Sequence, residues 1–148
     1  MLIKSLDDLN NLTKKIITHL NKIKNIYLYG EIGTGKTTFT KLLINNLQKK
    51  NKMPVTIIPS PTYNLMNKYV IKDFEILHYD FFRLQNKYEI DEIGFYKIGS
   101  SSIKIVEWPE LVEEKNKLEF YFKIIKNDIR EINYKGFGNL KDLKIIEI

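Results

Sequence analysis

In "SLDDLNNLTKKIITHL", which begins at Ser5, the apolar positions Leu6, Leu9, Leu12, Ile16 and Leu20 recur at helical spacing. That spacing predicts an amphipathic helix. Ser5 followed by Asp8 gives it a capping-box start. The pattern changes at "NIYLY", a short apolar run that predicts a strand leading into a glycine-rich segment. Helical spacing returns from Lys36 to about Lys50, with Phe39, Leu42, Leu43 and Leu47 on the inner side. The cations of "KKNK" suit the negative pole of that helix's dipole.

Further along, "VTIIP" predicts a strand, and "SPTYN" a loop in which Pro61 biases Ser60 away from helical dihedrals. "LMNKYVI" and "FEILHYD" read as a strand pair joined by the turn "KD". "NKYEIDEIGF" reads as a short acidic helix or turn, and "IKIVE" as a buried strand that ends at "EWPEL". "LEFYFKIIK" and "IREINYKG" predict a hairpin turning at Asn127 and Asp128. The closing "NLKDLKIIEI" reads equally as an edge strand or a short tail. There is no internal repeat, linker or low-complexity stretch, so residues 1–148 are expected to form one α/β domain with a mainly parallel sheet and antiparallel additions.

Composition narrows the class. A chain of 148 residues is long enough for a core. It has no cysteine, so disulfides and thiolate chemistry are excluded, which fits a cytoplasmic protein. No run approaches the ~20 apolar residues of a membrane span, and "MLIKSLDDLNNL" lacks the apolar core of a signal peptide. No membrane role is expected. The net charge of +6 invites a nucleic-acid reading, but the lysines are scattered and read as compositional bias. Arg83 and Arg130 are the only arginines, against 22 lysines. In such a chain each marks a place where a planar, bidentate donor is of use.

The chemistry enters with "YLYGEIGTGKTTF". Gly30, Gly35, Lys36 and Thr37 fit G-x-x-x-x-G-K-[ST], with the apolar strand before and the amphipathic helix after that the motif requires. The expected nucleotide-binding set is Gly30, Glu31, Ile32, Gly33, Thr34, Gly35, Lys36, Thr37 and Thr38. Backbone N–H groups of such a loop point inward at phosphate, and the helix start adds its positive pole. Lys36 is placed near the β- and γ-phosphates, and Thr37 offers a hydroxyl to magnesium. The metal needs a carboxylate at the C-terminal end of a nearby strand. Asp80, closing "ILHYD", and Glu107, closing "IKIVE", both qualify. A GTPase is disfavoured because "NLKD" has the wrong spacing for a guanine reader. A small-molecule kinase lacks an arginine-rich lid here, although "DFFR", Asp80 to Arg83, resembles an acid-and-arginine substrate clamp and keeps that alternative open.

"YLYGEIGTGKTTF", "SPTYNLMNKY", "HYDFFRL", "EIGF" and "VEWPE", in that order, resemble the TsaE (YjeE) family over roughly Ser5 to Arg130. The resemblance implies a P-loop NTPase-like three-layer fold. It also implies ATP binding and magnesium-dependent hydrolysis in tRNA threonylcarbamoyladenosine synthesis, alongside a TsaB–TsaD pair that meets the tRNA. On that basis Glu107 holds magnesium with Thr37, Asp80 is a second metal neighbour or water-orienting base, and Lys36 and Asp80 are the catalytic pair. Thr62 resembles a switch-loop threonine, with a loop-packing hydroxyl as the equal alternative. His78 shares a strand face with Asp80 and is expected to orient it, with filling a polar niche as the other reading. Trp108 is expected in the core, with contact to nucleotide or partner as the other reading. Arg83 pairs with Glu89 or Asp91, or reaches toward a partner. Phe82 stands where the family commonly has tyrosine. Adenine contacts are expected near the start of the first helix. A nucleotide-gated binding module without hydrolysis is a third reading.

Overall fold

The computed structural model describes residues 1–99 and 101–146. The described strands form one seven-stranded sheet: β1 Leu2–Ile3, β2 Asn25–Tyr29, β3 Met66–Ile71, β4 Phe74–Asp80, β5 Ser102–Glu107, β6 Lys117–Lys126 and β7 Ile129–Phe137. Their spatial order is β1-β7-β6-β2-β5-β4-β3. The four middle strands, β6, β2, β5 and β4, are parallel to their neighbours. β3 adds to β4, β7 to β6 and β1 to β7, all antiparallel. The parallel core with antiparallel additions is therefore as the sequence predicts.

Helices α1 (Leu6–Ile17) and α2 (Lys36–Lys50) pack together over one face of the sheet. The capping box of α1 is present: Ser5 Oγ accepts the Asp8 N–H at 3.2 Å, and Asp8 Oδ2 accepts the Ser5 N–H at 3.1 Å. α1 ends at Ile17, earlier than its apolar stripe suggests, and Leu20 reaches the core from the following turn. Under the helices, Ile26, Leu28, Ile76, Ile103, Ile105, Leu118 and Phe120 meet Leu12, Ile16, Phe39, Leu43 and Leu47. Alternate residues of the same strands, Tyr27, Leu77, Tyr79 and Val106, face the other way. There they pack against Ile90 of α3 (Lys87–Glu92), Phe95 and Val112. Two layers of unequal thickness thus cover the sheet, the three-layer arrangement of a P-loop fold.

One segment differs from the sequence expectation, one adds a strand that the pattern does not show, and one takes the second of its two readings. "VTIIP" is not a strand; residues 54–61 run without regular structure. Pro54, Pro59 and Pro61 lack the N–H groups that a ladder needs, and the segment is tied to the helices by Ile58, buried in the core, and by the side chain of Gln48. Gln48 Nε2 donates to Thr56 Oγ1 at 2.8 Å, and the Thr56 N–H donates to Gln48 Oε1 at 3.2 Å. Leu2 and Ile3 form an edge strand too short to leave a periodic signal. In the closing segment, a 3-10 turn at Gly138–Leu140 is followed by chain that packs Leu140 and Ile145 into the core, so the described part is a tail and not an edge strand. Residues 147 and 148 of that segment lie outside the described residues.

Burial also sets an alkaline limit on stability. Desolvation raises Tyr79 to about 12 and, together with the Glu114 carboxylate, holds Tyr27 far above the ordinary tyrosine range. A phenol whose folded pKa exceeds its unfolded value stabilises the fold fully below about pH 10, and that contribution fades as pH rises through the folded value. Circular dichroism during chemical denaturation should therefore show stability falling between about pH 10 and about pH 12. Tyr79→Phe should flatten part of that decline, and an unchanged pH profile would count against the buried phenol as its source.

Candidate nucleotide-binding site

The parallel strands β2, β4 and β5 end on one edge of the sheet, and the site is built there. β2 runs directly into the loop, where Gly30, Gly33 and Gly35 have φ of 151°, 81° and 105°. These are angles that a side chain disfavours. At Gly30 a Cβ would also lie 2.7 Å from the Phe122 carbonyl oxygen and 2.9 Å from Thr34 Oγ1, so only glycine lets the loop rest on β6. Gly35 then serves as the left-handed N-cap of α2. It has no side chain to cap the first N–H groups of the helix, which leaves them for a ligand.

A cavity of about 410 Å³ opens above the loop. It is lined by Ile32, Gly33, Thr34, Gly35, Lys36, Thr37 and Thr38 from the loop and helix start, and by Asp80, Glu107 and Trp108 from the strand ends. Ser60, Thr62 and Phe82 complete it. Gly30 and Glu31 are not in the lining. Their carbonyl oxygens instead accept hydrogen bonds from Lys36 Nζ, that to Glu31 at 3.1 Å. The lysine is buried, with its ammonium 4.0 Å from the Trp108 ring centroid. Burial lowers its pKa, partly offset by the carboxylates of Glu107, Glu110, Asp80 and Glu31.

Both strand-end acids converge on the loop. Asp80 and Glu107 are register partners on adjacent strands. Thr37 Oγ1 donates to Glu107 Oε1 at 2.6 Å, and Glu107 Oε2 lies 2.7 Å from His78 Nε2. Asp80 Oδ2 accepts the Thr62 hydroxyl at 3.0 Å, and Oδ1 accepts the Phe82 N–H at 3.0 Å. Ser60 Oγ lies 2.7 Å from Thr62 Oγ1, which ties the unstructured 54–61 segment to the acid. The donors are hard oxygens, two of them touching across the loop mouth, with no thiolate or exposed imidazole among them. This suits magnesium, which takes one or two protein oxygens and fills its remaining positions with phosphate and water.

Three further expectations differ from the structure. His78 bonds Glu107, not Asp80: on a twisted parallel sheet its side chain reaches across to the neighbouring strand, whereas Asp80 lies further along its own. Trp108 is not a core residue. It is half-buried over the cavity with φ of 58°, uncommon for a bulky side chain, and packs on Phe82 at 4.9 Å between ring centroids. Arg83 lies outside the cavity, stacked 4.7 Å from the Tyr63 ring centroid, with no carboxylate partner among the described residues. Its expected pairing with Glu89 or Asp91 does not form, since Glu89 instead accepts the N–H groups of Gln85 and Asn86.

Sequence reasoning passed over Ser60 and the cavity-lining place of Phe82. A second cavity of about 360 Å³ lies at the start of α1, where adenine contacts are expected, and shares Gly33, Thr34, Gly35 and Thr38 with the first. Ser5, Leu6, Leu9, Phe122, Arg130 and Ile132 are among the residues that line it. Arg130 donates to the Asn127 carbonyl at 2.7 Å and to the Gly33 carbonyl at 3.4 Å. The scarcity of arginine was the available signal for that position.

Known proteins can now be set beside this geometry. The family model described as "Threonylcarbamoyl adenosine biosynthesis protein TsaE" matches residues 3–133. A tRNA threonylcarbamoyladenosine biosynthesis protein TsaE from Rickettsia typhi is 32% identical over 135 residues, covering 89% of this chain and 91% of that protein. The protein of the same name from Bacillus subtilis is 30% identical over 124 residues, covering 82% and 75% respectively. The crystal structure of Bacillus subtilis YdiB superposes with a TM-score of 0.69 at 24% identity, covering 97% of this chain and 88% of that one, and shares the fold. With the phosphate loop, both strand-end acids and the 3–133 match on one scaffold, the chain belongs to the TsaE family of threonylcarbamoyl adenosine biosynthesis proteins.

Proposed function

We propose that this protein binds and hydrolyses ATP in support of tRNA threonylcarbamoyladenosine synthesis, working with a TsaB–TsaD pair in the cytoplasm and reaching tRNA through it. The observation that carries the reading is the 2.6 Å contact between Thr37 and Glu107 at the mouth of a glycine loop. It joins the helix-start hydroxyl to a strand-end acid where the terminal phosphates of a bound nucleotide would lie.

The loop N–H groups and the start of α2 receive the phosphates. Lys36 leaves the Gly30 and Glu31 carbonyls to neutralise them, and its place beneath Trp108 keeps a desolvated cation in reserve until then. Thr37 and Glu107 would hold magnesium, which supplies charge neutralisation at the β- and γ-phosphate oxygens. Asp80 faces the same cavity with its carboxylate oriented by Thr62 and the Phe82 N–H, the position of a group that orients water for attack on the terminal phosphate. Through Thr62, the state of the nucleotide reaches the 54–65 segment, in keeping with a switch that orders around the γ-phosphate. The second cavity offers Leu6, Leu9 and Ile132 to an adenine ring beside the loop, near the start of α1. A kinase reading loses its support, because Arg83 does not face the cavity.

Lys36→Ala should abolish productive ATP binding. Trp108 is the chain's one tryptophan and sits against that ammonium, so its emission reports the titration directly. Wild-type-like binding and hydrolysis in the variant would remove the phosphate-loop assignment.

The two acids should separate by role. Glu107→Ala should weaken magnesium-dependent nucleotide binding, whereas Asp80→Ala should retain binding and lower hydrolysis by ~100- to 10,000-fold. Titration calorimetry and phosphate release measured on both variants decide it, and the reverse pattern would exchange the assignments.

The cavity is open to solvent, so slow hydrolysis is expected from the isolated chain and a changed rate from the chain with TsaB–TsaD. Binding coupling is reciprocal, so a non-hydrolysable ATP analogue should shift affinity for the pair in calorimetry. Absence of binding with and without the analogue would sink the partnership.

A further inference from the structure

Glu107 is 2% exposed, and both of its carboxylate oxygens are held by other side chains. Oε1 accepts the Thr37 hydroxyl from α2, and Oε2 meets His78 Nε2 from β4. His78 is wholly buried, on the helix-facing side of β4 with Ile76 and Asp80. Its other nitrogen, Nδ1, is buried without a hydrogen-bond partner among the described residues. A buried polar atom left unpaired is costly, so the ring does not occupy this niche because the niche satisfies it. Only the edge turned to Glu107 is used. Next to a carboxylate Nε2 donates.

A glutamate at the end of a strand has three side-chain torsions to fix before one oxygen can face the loop. Thr37 cannot fix them alone, because its hydroxyl is the group a metal would draw away. The bond to His78 lies on the far side of the carboxylate and is free of that competition. We infer that His78 is a positioning residue for Glu107: its ring holds Oε2 so that Oε1 stays turned toward Thr37 and the place magnesium would take. The inference rests on the nucleotide-site reading above. It assigns the histidine to the metal-facing acid and leaves Asp80 to Thr62 and the Phe82 N–H.

The test uses the full chain with His78→Leu and His78→Gln, titrating ATP with and without magnesium and following Trp108 emission. Groups that orient a metal ligand typically contribute ~10- to 100-fold to metal affinity. His78→Leu should lose a factor of that size from the magnesium-dependent gain in ATP affinity and keep the metal-free affinity. His78→Gln can present an amide N–H at nearly the position of Nε2 and should recover most of the gain. In a Glu107→Ala background, His78→Leu should add nothing. If His78→Leu does not fold, His78→Asn replaces it, because its shorter amide falls short of Glu107 and the gain should again be lost. A full magnesium gain in the Leu or Asn variant, or equal damage with and without metal, would overturn the positioning role while leaving the nucleotide site in place. No magnesium gain in the wild type would remove the nucleotide-site reading and this inference together.

Discussion

Strand β2 has to become helix α2 within one short loop, and the whole edge of the sheet is arranged by that requirement. The turn needs positive φ at Gly30 and Gly35, and Gly30 must also admit the Phe122 carbonyl where a Cβ would stand. β2 is flanked on both sides by parallel strands, so β5 and β6 finish beside it, and β4 finishes beside β5. Acids placed at the ends of β4 and β5 therefore arrive next to the helix start with no further device. The buried apolar faces under α1 and α2 hold the strands in register, and register alone places Asp80 beside Glu107.

What the primary structure reveals follows from where the determining contacts lie. The helices, the phosphate loop and the paired acids are written in local patterns, since period, glycine spacing and a terminal carboxylate each occupy consecutive residues. "VTIIP" misleads because its apolar run satisfies a strand pattern, while the flanking prolines deny it a partner. His78 and Asp80 share a strand face, which made their association the simplest reading. The bond to Glu107 depends on the neighbouring strand, 29 positions away, and no spacing within β4 reveals it. Trp108 reads as core by residue type. Its left-handed backbone and its seat on Lys36 arise from the bend at "EWPEL", where the chain leaves the sheet. The second cavity joins the start of α1 to β7, elements more than a hundred residues apart; the expected adenine contacts at the helix start and the rare Arg130 each point to one wall of it, and neither to their meeting.

The His78–Glu107 pair is buried where the leucine, isoleucine and phenylalanine core under the helices meets the polar loop mouth. Replacing a buried polar pair by apolar residues of similar volume is often neutral or stabilising, whereas removing one member alone is strongly destabilising. Folding therefore gains little from keeping the pair, yet it penalises losing its members one at a time. Descent with modification under such a constraint leaves a recognisable trace. In lineages that abandon the nucleotide, the two positions should drift to apolar residues together, and histidine without the acid, or the acid without histidine, should be the rare intermediate.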